Sequence, residues 1–272
     1  MKKIFAILLA LLLVCSFVAC SDEEVEKEEG TNLTVTDTEQ HYNAGGTYND
    51  SFVYEIINGN QVAIIGFDSD YTPHDVVIPN EIENCPVVEI SDAAFYHCSQ
   101  LKTITVPTTV TKIGKLAFAG CVQLTAVKYA DNNNLAPIKT IDEYAFAYCA
   151  SLASITLPNT LTVLGEGAFF QCEALTSINI PAVVRDANDN VQSGVTVIYD
   201  MTFMGCENLT TVTGGEGVEE IGSYAFRGCA KLNAISFSSV LTKIGDYAFS
   251  GCAALAQPTL GQGVTVGEFA FE

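Results

Sequence analysis

The sequence predicts an α/β repeat protein, a solenoid in which units of about 23 residues stack through short parallel strands and short helices. Three kinds of residue recur in one register and carry this prediction. A phenylalanine follows a small residue, a cysteine comes three residues later, and a leucine comes six residues later. The phenylalanines are Phe95, Phe118, Phe146, Phe169, Phe203, Phe226, Phe249 and Phe271. Successive intervals between them are 23, 28, 23, 34, 23, 23 and 22 residues, so the two long intervals contain insertions of 5 and 11 residues.

Further columns keep the same register. The cysteines are Cys98, Cys121, Cys149, Cys172, Cys206, Cys229 and Cys252. An aliphatic residue precedes each phenylalanine by five positions, and these are Ile90, Ile113, Ile141, Leu164, Ile198, Ile221, Ile244 and Val266. Because several columns share one frame, each unit should occupy an equivalent position in a stack.

The order of residues within a unit predicts its path. Residues 152–158 alternate aliphatic side chains as a short strand, which Pro158 ends because proline has no N–H for the ladder. Gly165 then allows a sharp turn. Residues 168–172 predict one or two helical turns, too few to be stable without packing. No single unit can bury its own apolar face, so neighbouring units must stack.

This unit resembles the repeat of the BspA-like, or treponemal-type, leucine-rich repeat family of surface lipoproteins. The resemblance covers about residues 76–272 and implies a leucine-rich-repeat solenoid. Residues 54–86 resemble the family's N-terminal lead-in, so we expect an N-terminal cap at 51–89 and the repeat region at 90–272. The last unit stops one residue after its phenylalanine, which suggests a truncated repeat region.

The N-terminus, residues 1–19, has the features of a bacterial export signal. Two lysines precede an apolar run at residues 4–14, which is too short to span a bilayer as a stop-transfer helix. Residues 16–20 resemble a lipobox, so Cys20 is the predicted lipidation site. Acyl chains on this cysteine would anchor the protein durably in a membrane. The alternative is ordinary cleavage after Ala19 without a lipid.

Residues 20–50 are expected to form an acidic, disordered tether. The run at residues 21–30 has too little apolar surface to fold alone. It also resembles the surface-export signal of Bacteroidetes lipoproteins. We therefore expect a lipid-anchored protein of the outer membrane that faces the cell exterior and contacts the membrane through its anchor alone.

The charge balance restricts the partners. The chain has 12 Lys and Arg against 32 Asp and Glu, a net charge of −20. Such a field repels phosphate backbones, so we exclude nucleic acid as a partner. Basic partners and divalent cations are compatible with it, and the charge can equally serve solubility alone.

The seven repeat cysteines are expected to stack as buried, unpaired thiols that act as small hydrophobic side chains. A disulfide between adjacent units and a metal site are the alternatives. No histidine accompanies the column, which argues against a metal. Cys85, in the expected cap, has no assigned role.

The two insertions are the first candidates for binding, because repeat proteins place specificity in loops on one face. Their candidate residues are Asp131, Asn132, Asp186, Asn188, Asp189 and Asn190. The second insertion starts like a calcium loop at Asp186. However, Val191 and Val197 stand where that loop needs glycine and glutamate, so its signature fails. Polar turn formation explains the same composition.

Two columns of the repeat are further candidates. Tyr144, Tyr224, Tyr247 and Phe269 lie two residues before a phenylalanine and predict a partly exposed aromatic edge. Plain packing between units is the favoured role of this edge, and contact with a partner is the alternative. The column one residue earlier contains Asp92, Lys115, Glu143, Glu166, Asp200, Ser223, Asp246 and Glu268. Its carboxylates would cap the short helices, or would form an acidic stripe for basic partners.

No catalytic constellation is present in the sequence, so we expect a binding protein without a cofactor and without enzymatic activity. The resemblance implies adhesion to a protein of the host matrix, of host cells or of other bacterial surfaces. One alternative is glycan binding in a nutrient-uptake system, which the absence of Trp disfavours. Another is a passive stalk for a missing C-terminal domain.

Overall fold

The computed structural model describes residues 52–67, 74–130 and 137–272, which form strands joined by turns. The strands are β1 (Phe52–Ile57), β2 (Gln61–Phe67), β3 (Asp75–Val77), β4 (Glu81–Ile82), β5 (Cys85–Ile90), β6 (Thr103–Val106), β7 (Lys112–Ile113), β8 (Ala126–Tyr129), β9 (Thr140–Ile141), β10 (Val163–Leu164), β11 (Ser177–Ile180), β12 (Val184–Arg185), β13 (Val191–Ser193), β14 (Val197–Ile198), β15 (Thr211–Gly214), β16 (Glu220–Ile221), β17 (Ala234–Ile235), β18 (Lys243–Ile244) and β19 (Thr265–Val266). In this part of the chain, no helix has the length and apolar character needed to cross a membrane.

Most repeats contribute to two sets of parallel ladders. The first set pairs β5, β7, β9 and β10 in order, and then β14, β16, β18 and β19. Its registers align the aliphatic column, for example Ile90 with Ile113 and Ile221 with Ile244. The second set joins β3, β6 and β8, and then β11, β15 and β17. The predicted parallel strands therefore form between equivalent residues of neighbouring units.

One predicted strand does not form. Residues 152–158 have no regular ladder, although the equivalent residues form β6, β8, β11, β15 and β17 in other units. The hydroxyl of Tyr129 donates to the carbonyl of Thr156 at 2.9 Å. This side-chain hydrogen bond joins residues 152–158 to β8 of the preceding unit, although the segment itself has no ladder.

The repeat phenylalanines form the centre of the core. Seven of them in the described ranges are fully or almost fully buried, and their rings stack from unit to unit at centroid distances from 5.1 Å to 5.6 Å. The repeat leucines are buried beside them, from Leu101 to Leu232. Aromatic pairs at such distances contribute about 0.5–1.5 kcal/mol each beyond their buried area. The core is therefore a continuous column that crosses every unit boundary.

The prediction of short helices is wrong. Where residues 168–172 and their equivalents were expected to be helical, the described chain contains consecutive turns. In each unit the residue two before the phenylalanine has a left-handed φ, for example 57° at Ala93 and 60° at Tyr224. A left-handed residue cannot continue a right-handed helix, so the segment cannot build i→i−4 bonds.

The backbone hydrogen bonds explain why this segment forms turns and not a helix. Alternate N–H groups bond locally, as Tyr96 does to the carbonyl of Ala93 at 3.0 Å. The N–H groups between them cross to the next unit, as Phe95 does to Ala117 at 2.7 Å and His97 to Ala119 at 2.8 Å. An isolated helix would satisfy its N–H groups within one unit. In the turn segment, about half of the N–H groups bond instead to carbonyls of the next unit, and this pattern recurs along the stack.

The N-terminal residues pack on the first repeat. β1 and β2 form an antiparallel pair, and β2 pairs in parallel with β5. Phe52 stacks on Phe67 at 5.3 Å, and Phe67 lies 4.9 Å from Phe95, so the aromatic column extends into this pair. The boundary of a cap at residue 89 stays a prediction.

Candidate binding surfaces

The second insertion forms a small antiparallel hairpin of β12 and β13. The Asp186 carboxylate organises its tip, because it accepts the backbone N–H groups of Asn188 at 2.8 Å and Asn190 at 2.9 Å. The side-chain amides of Asn190 and Gln192 also donate to it. These hydrogen bonds, chiefly those from Asn190, lower the pKa of Asp186. The carboxylate therefore serves the loop's own geometry, as the turn-forming interpretation expects.

Arg185 attaches the hairpin to the repeat stack. Its guanidinium forms a salt bridge with Glu219, which lies just before β16. The same guanidinium donates to the carbonyl of Asp189 at 3.1 Å. One side chain thus connects the hairpin tip with the body of the protein, while Val184 remains 55% exposed. The hairpin is a braced projection with one exposed valine on each strand and a polar tip.

Several sequence candidates lie outside the described residues. Cys20, Asp131 and Asn132 are among them. Within the described ranges, no three His, Cys, Asp or Glu side chains converge as a metal site.

Tyr144 is not part of an exposed edge, which corrects the sequence prediction. It is buried beside Phe170 at a centroid distance of 6.3 Å, and its hydroxyl donates to the Glu166 carboxylate at 3.1 Å. Burial raises the pKa of Tyr144 and also that of Glu166. Tyr144 belongs to a second apolar cluster that includes Met201, so it packs between units.

Tyr224, Tyr247 and Phe269 do form a half-exposed ladder. The first two rings stack at 5.2 Å with an interplanar angle of 2°, and the next pair at 5.0 Å with an angle of 26°. The guanidinium of Arg227 lies 5.5 Å from the centroid of Tyr224 and 6.0 Å from that of Tyr247. Sequence reasoning missed Arg227, although its place three residues after Tyr224 could have indicated it. Tyrosine and arginine are enriched among the residues that contribute most to protein–protein binding.

The acidic column stabilises the stack in a way that the sequence did not predict. The carboxylate of Asp92 accepts the backbone N–H of Lys115 at 2.8 Å. Asp200 accepts that of Ser223 at 2.7 Å, and Asp246 that of Glu268 at 2.9 Å. Each carboxylate thus caps the turn of the following unit rather than a helix of its own. This role accounts for these aspartates without a ligand.

The repeat cysteines connect neighbouring units through their thiols. From Cys121 to Cys252, each Sγ–H donates to the carbonyl of the phenylalanine in the preceding unit, for example Cys121 to Phe95 at 3.1 Å and Cys149 to Phe118 at 3.2 Å. None of the described cysteines forms a disulfide. Burial raises the pKa of Cys172 to about 12 and that of Cys149 well above its usual value. These two thiols are therefore structural, since thiolates are the reactive form.

This arrangement predicts the order of thiol labelling. Cys85 and Cys98 are half-buried, whereas Cys121, Cys149 and Cys206 are buried. We expect a thiol reagent to modify the half-buried pair in the native protein and the buried column only after unfolding in denaturant. Peptide mapping by mass spectrometry measures this order. Modification of Cys149 as fast as Cys85 would contradict a closed stack.

Comparison with known proteins agrees with this architecture. The sequence profile of the BspA type leucine rich repeat region matches residues 73–192 and 188–272 in six copies. A leucine-rich repeat protein of T. pallidum is 27% identical with a TM-score of 0.51, and the match covers 66% of this chain and 87% of that one. No curated protein matches the sequence.

Two further solved structures are similar. A leucine-rich cell surface protein of Faecalibacterium prausnitzii is 22% identical, with 78% of this chain and 82% of that chain covered and a TM-score of 0.37. A leucine-rich repeat protein of Bacteroides ovatus is 20% identical, with 79% and 89% covered and a TM-score of 0.39. Since the family profile matches most of its length, the chain belongs to the BspA-type leucine-rich repeat family.

Proposed function

We propose that this chain is a lipid-anchored cell-surface protein whose repeat stack forms one continuous solenoid and binds proteins on host or other bacterial surfaces. Membership of a leucine-rich repeat family supports a role in protein interaction. The export features of residues 1–19, with Cys20 as the lipid site, support the outer membrane as its location. A repetitive, anchored surface favours multivalent contact.

The braced hairpin of β12 and β13 is the observation that carries this proposal. It interrupts the regular repeat and exposes Val184 at 55% and Val191 at 37% next to a polar tip. Its shape is held by the Asp186 hydrogen bonds and by the Arg185–Glu219 salt bridge. A loop that is already ordered loses less conformational entropy on binding, so it yields more affinity from the same contacts.

Binding of the soluble protein, residues 31–272, to panels of host matrix proteins and of glycans tests this function by biolayer interferometry. We expect saturable protein binding that is lost when residues 185–194 are deleted. Asp186→Ala removes the acceptor that orders the tip but keeps the exposed valines. It should weaken binding by about tenfold, an energy comparable to one lost hydrogen bond to a charged group.

Gln257→Ala is the matched control, because Gln257 is exposed and lies on the unit of Phe249, outside the hairpin. It should bind like the unaltered protein. Saturable glycan binding without protein binding would replace the proposal with a nutrient-capture role. No binding to either panel would favour the alternative of a passive stalk.

A further inference from the structure

The ladder of Tyr224, Tyr247 and Phe269 has two steps, and a guanidinium occupies one of them. Arg227 lies within 5.5 Å and 6.0 Å of the centroids of the two tyrosines that form the first step. A cation that lies over an aromatic ring within about 6 Å of its centroid is attracted by the ring quadrupole. The protein itself therefore shows that a ring step of this ladder accepts an arginine.

The second step has the same backbone framework. The N–H of Tyr224 bonds to the carbonyl of Asp246 at 2.9 Å, and that of Tyr247 bonds to the carbonyl of Glu268 at 2.9 Å. On the other side of the ladder, Gly228 bonds to Ser250 at 2.8 Å. Gly251 repeats this bond to Glu272 at 2.6 Å. The translation that relates the units is thus conserved across both steps.

That translation places Ser250 beside the Tyr247–Phe269 step, at the position that Arg227 holds beside the first. Serine is too short to reach over the rings, and Ser250 is only half-buried. The rings of this step stack at 5.0 Å, close to the 5.2 Å of the occupied step. The second step therefore offers the aromatic surface of the first with a small residue in place of the arginine.

The surrounding charge favours a cation. Asp246 and Glu268 are exposed and directly precede Tyr247 and Phe269 in the chain. Glu272 occupies the arginine position one unit beyond Ser250. The chain as a whole carries a net charge of −20, which attracts basic partners. A planar guanidinium stacks on aromatic rings better than an ammonium does, so arginine fits this step better than lysine.

We propose that the Tyr247–Phe269 step is a receptor site for an arginine side chain of a basic protein segment, bound beside Ser250 as Arg227 is bound one unit earlier. This site rests on the proposed protein-binding function and names the chemistry of the partner. The aromatic rings supply the contact for the guanidinium plane, and the neighbouring carboxylates supply the charge.

The test uses the full chain in detergent and two labelled peptides, one with four arginines separated by glycines and one with four lysines in the same places. Fluorescence polarisation measures both dissociation constants at equal ionic strength. General attraction to an acidic protein treats the two peptides alike. We expect the arginine peptide to bind about two- to fivefold more tightly, the size of a cation–π contribution at an exposed site.

Three variants locate the site. Ser250→Arg fills the step from within, so it should abolish the preference for the arginine peptide. Gln257→Arg adds the same charge on an exposed position of the same unit, and the preference should survive. Tyr247→Leu removes the ring and should abolish the preference. Leucine is tolerated at this backbone position, because Leu116 occupies its equivalent with a φ of 58°.

Equal affinities for the two peptides, or equal effects of Ser250→Arg and Gln257→Arg, would overturn the arginine site. These outcomes are separable from failure of the proposed function, which is measured by loss of matrix-protein binding on deletion of residues 185–194. Panel binding without an arginine preference removes this inference alone. An arginine preference without binding to any panel protein retains the site and removes the proposed protein-binding function.

Discussion

Replacing Phe169 with alanine is expected to lower the free energy of unfolding by about 3–5 kcal/mol. The ring is fully buried and stacks on Phe146 at 5.5 Å and on Phe203 at 5.6 Å. The substitution therefore removes two ring contacts and leaves a cavity in the middle of the column. Because each unit is stabilised through its neighbours, the loss affects both sides of the stack. Urea unfolding followed by circular dichroism measures it.

Phe269→Ala is the matched control. Phe269 is 45% exposed and stacks on Tyr247 at the edge of the turns, outside the core column. Its removal should cost about 1 kcal/mol or less, as is usual for partly exposed side chains. Equal costs for the two substitutions would mean that the column does not form the structural centre of the protein.

The second large effect is expected from Gly165→Ala. A Cβ atom on Gly165 would lie 2.6 Å from the carbonyl carbon of Asp142 and 2.6 Å from the N of Glu143. Both atoms are backbone of the preceding unit, so neither can move aside without displacing that unit. Overpacking of this kind costs about 1–3 kcal/mol. We therefore expect a lower urea midpoint, with the same far-UV spectrum if the stack is retained.

Gly261→Ala provides the comparison. Its added Cβ would meet only Cγ2 of Val264, at an ordinary contact distance of 3.9 Å. Neither Gly165 nor Gly261 has a left-handed φ, so the two substitutions differ in space and not in backbone strain. Alanine at 261 should leave stability unchanged or raise it by about 0.4–1 kcal/mol through the unfolded chain. A large loss there would contradict this explanation.

Gly165 also shows where sequence reasoning assigned a cause incorrectly. Its glycine suggested a sharp turn, yet its φ is not left-handed and its role is to let two backbones approach. Equivalent glycines such as Gly222 and Gly245 would place a Cβ 2.5 Å from an N of the preceding unit. Close approach depends on the separation of units, which a single sequence does not contain.

For the candidate sites too, sequence reasoning predicted some features and missed others. The hairpin around Asp186 was predicted as a polar turn, since short-range side-chain hydrogen bonds follow from local sequence. The fate of Tyr144 was not, because it depends on Phe170 of the following unit and on the Glu166 carboxylate. Arg227 escaped notice because the repeat pattern assigns no common residue to its column.

The sequence alone determined the repeat length, the register of the columns and the parallel pairing, because a stack requires equivalent residues at equal intervals. It also determined that Phe169 and its equivalents form the core. Only the tertiary structure decided that the expected helices are turns, since their N–H groups find better partners in the next unit than within their own. It likewise decided which tyrosines are exposed, because burial of a side chain in a stack depends on residues a full unit away.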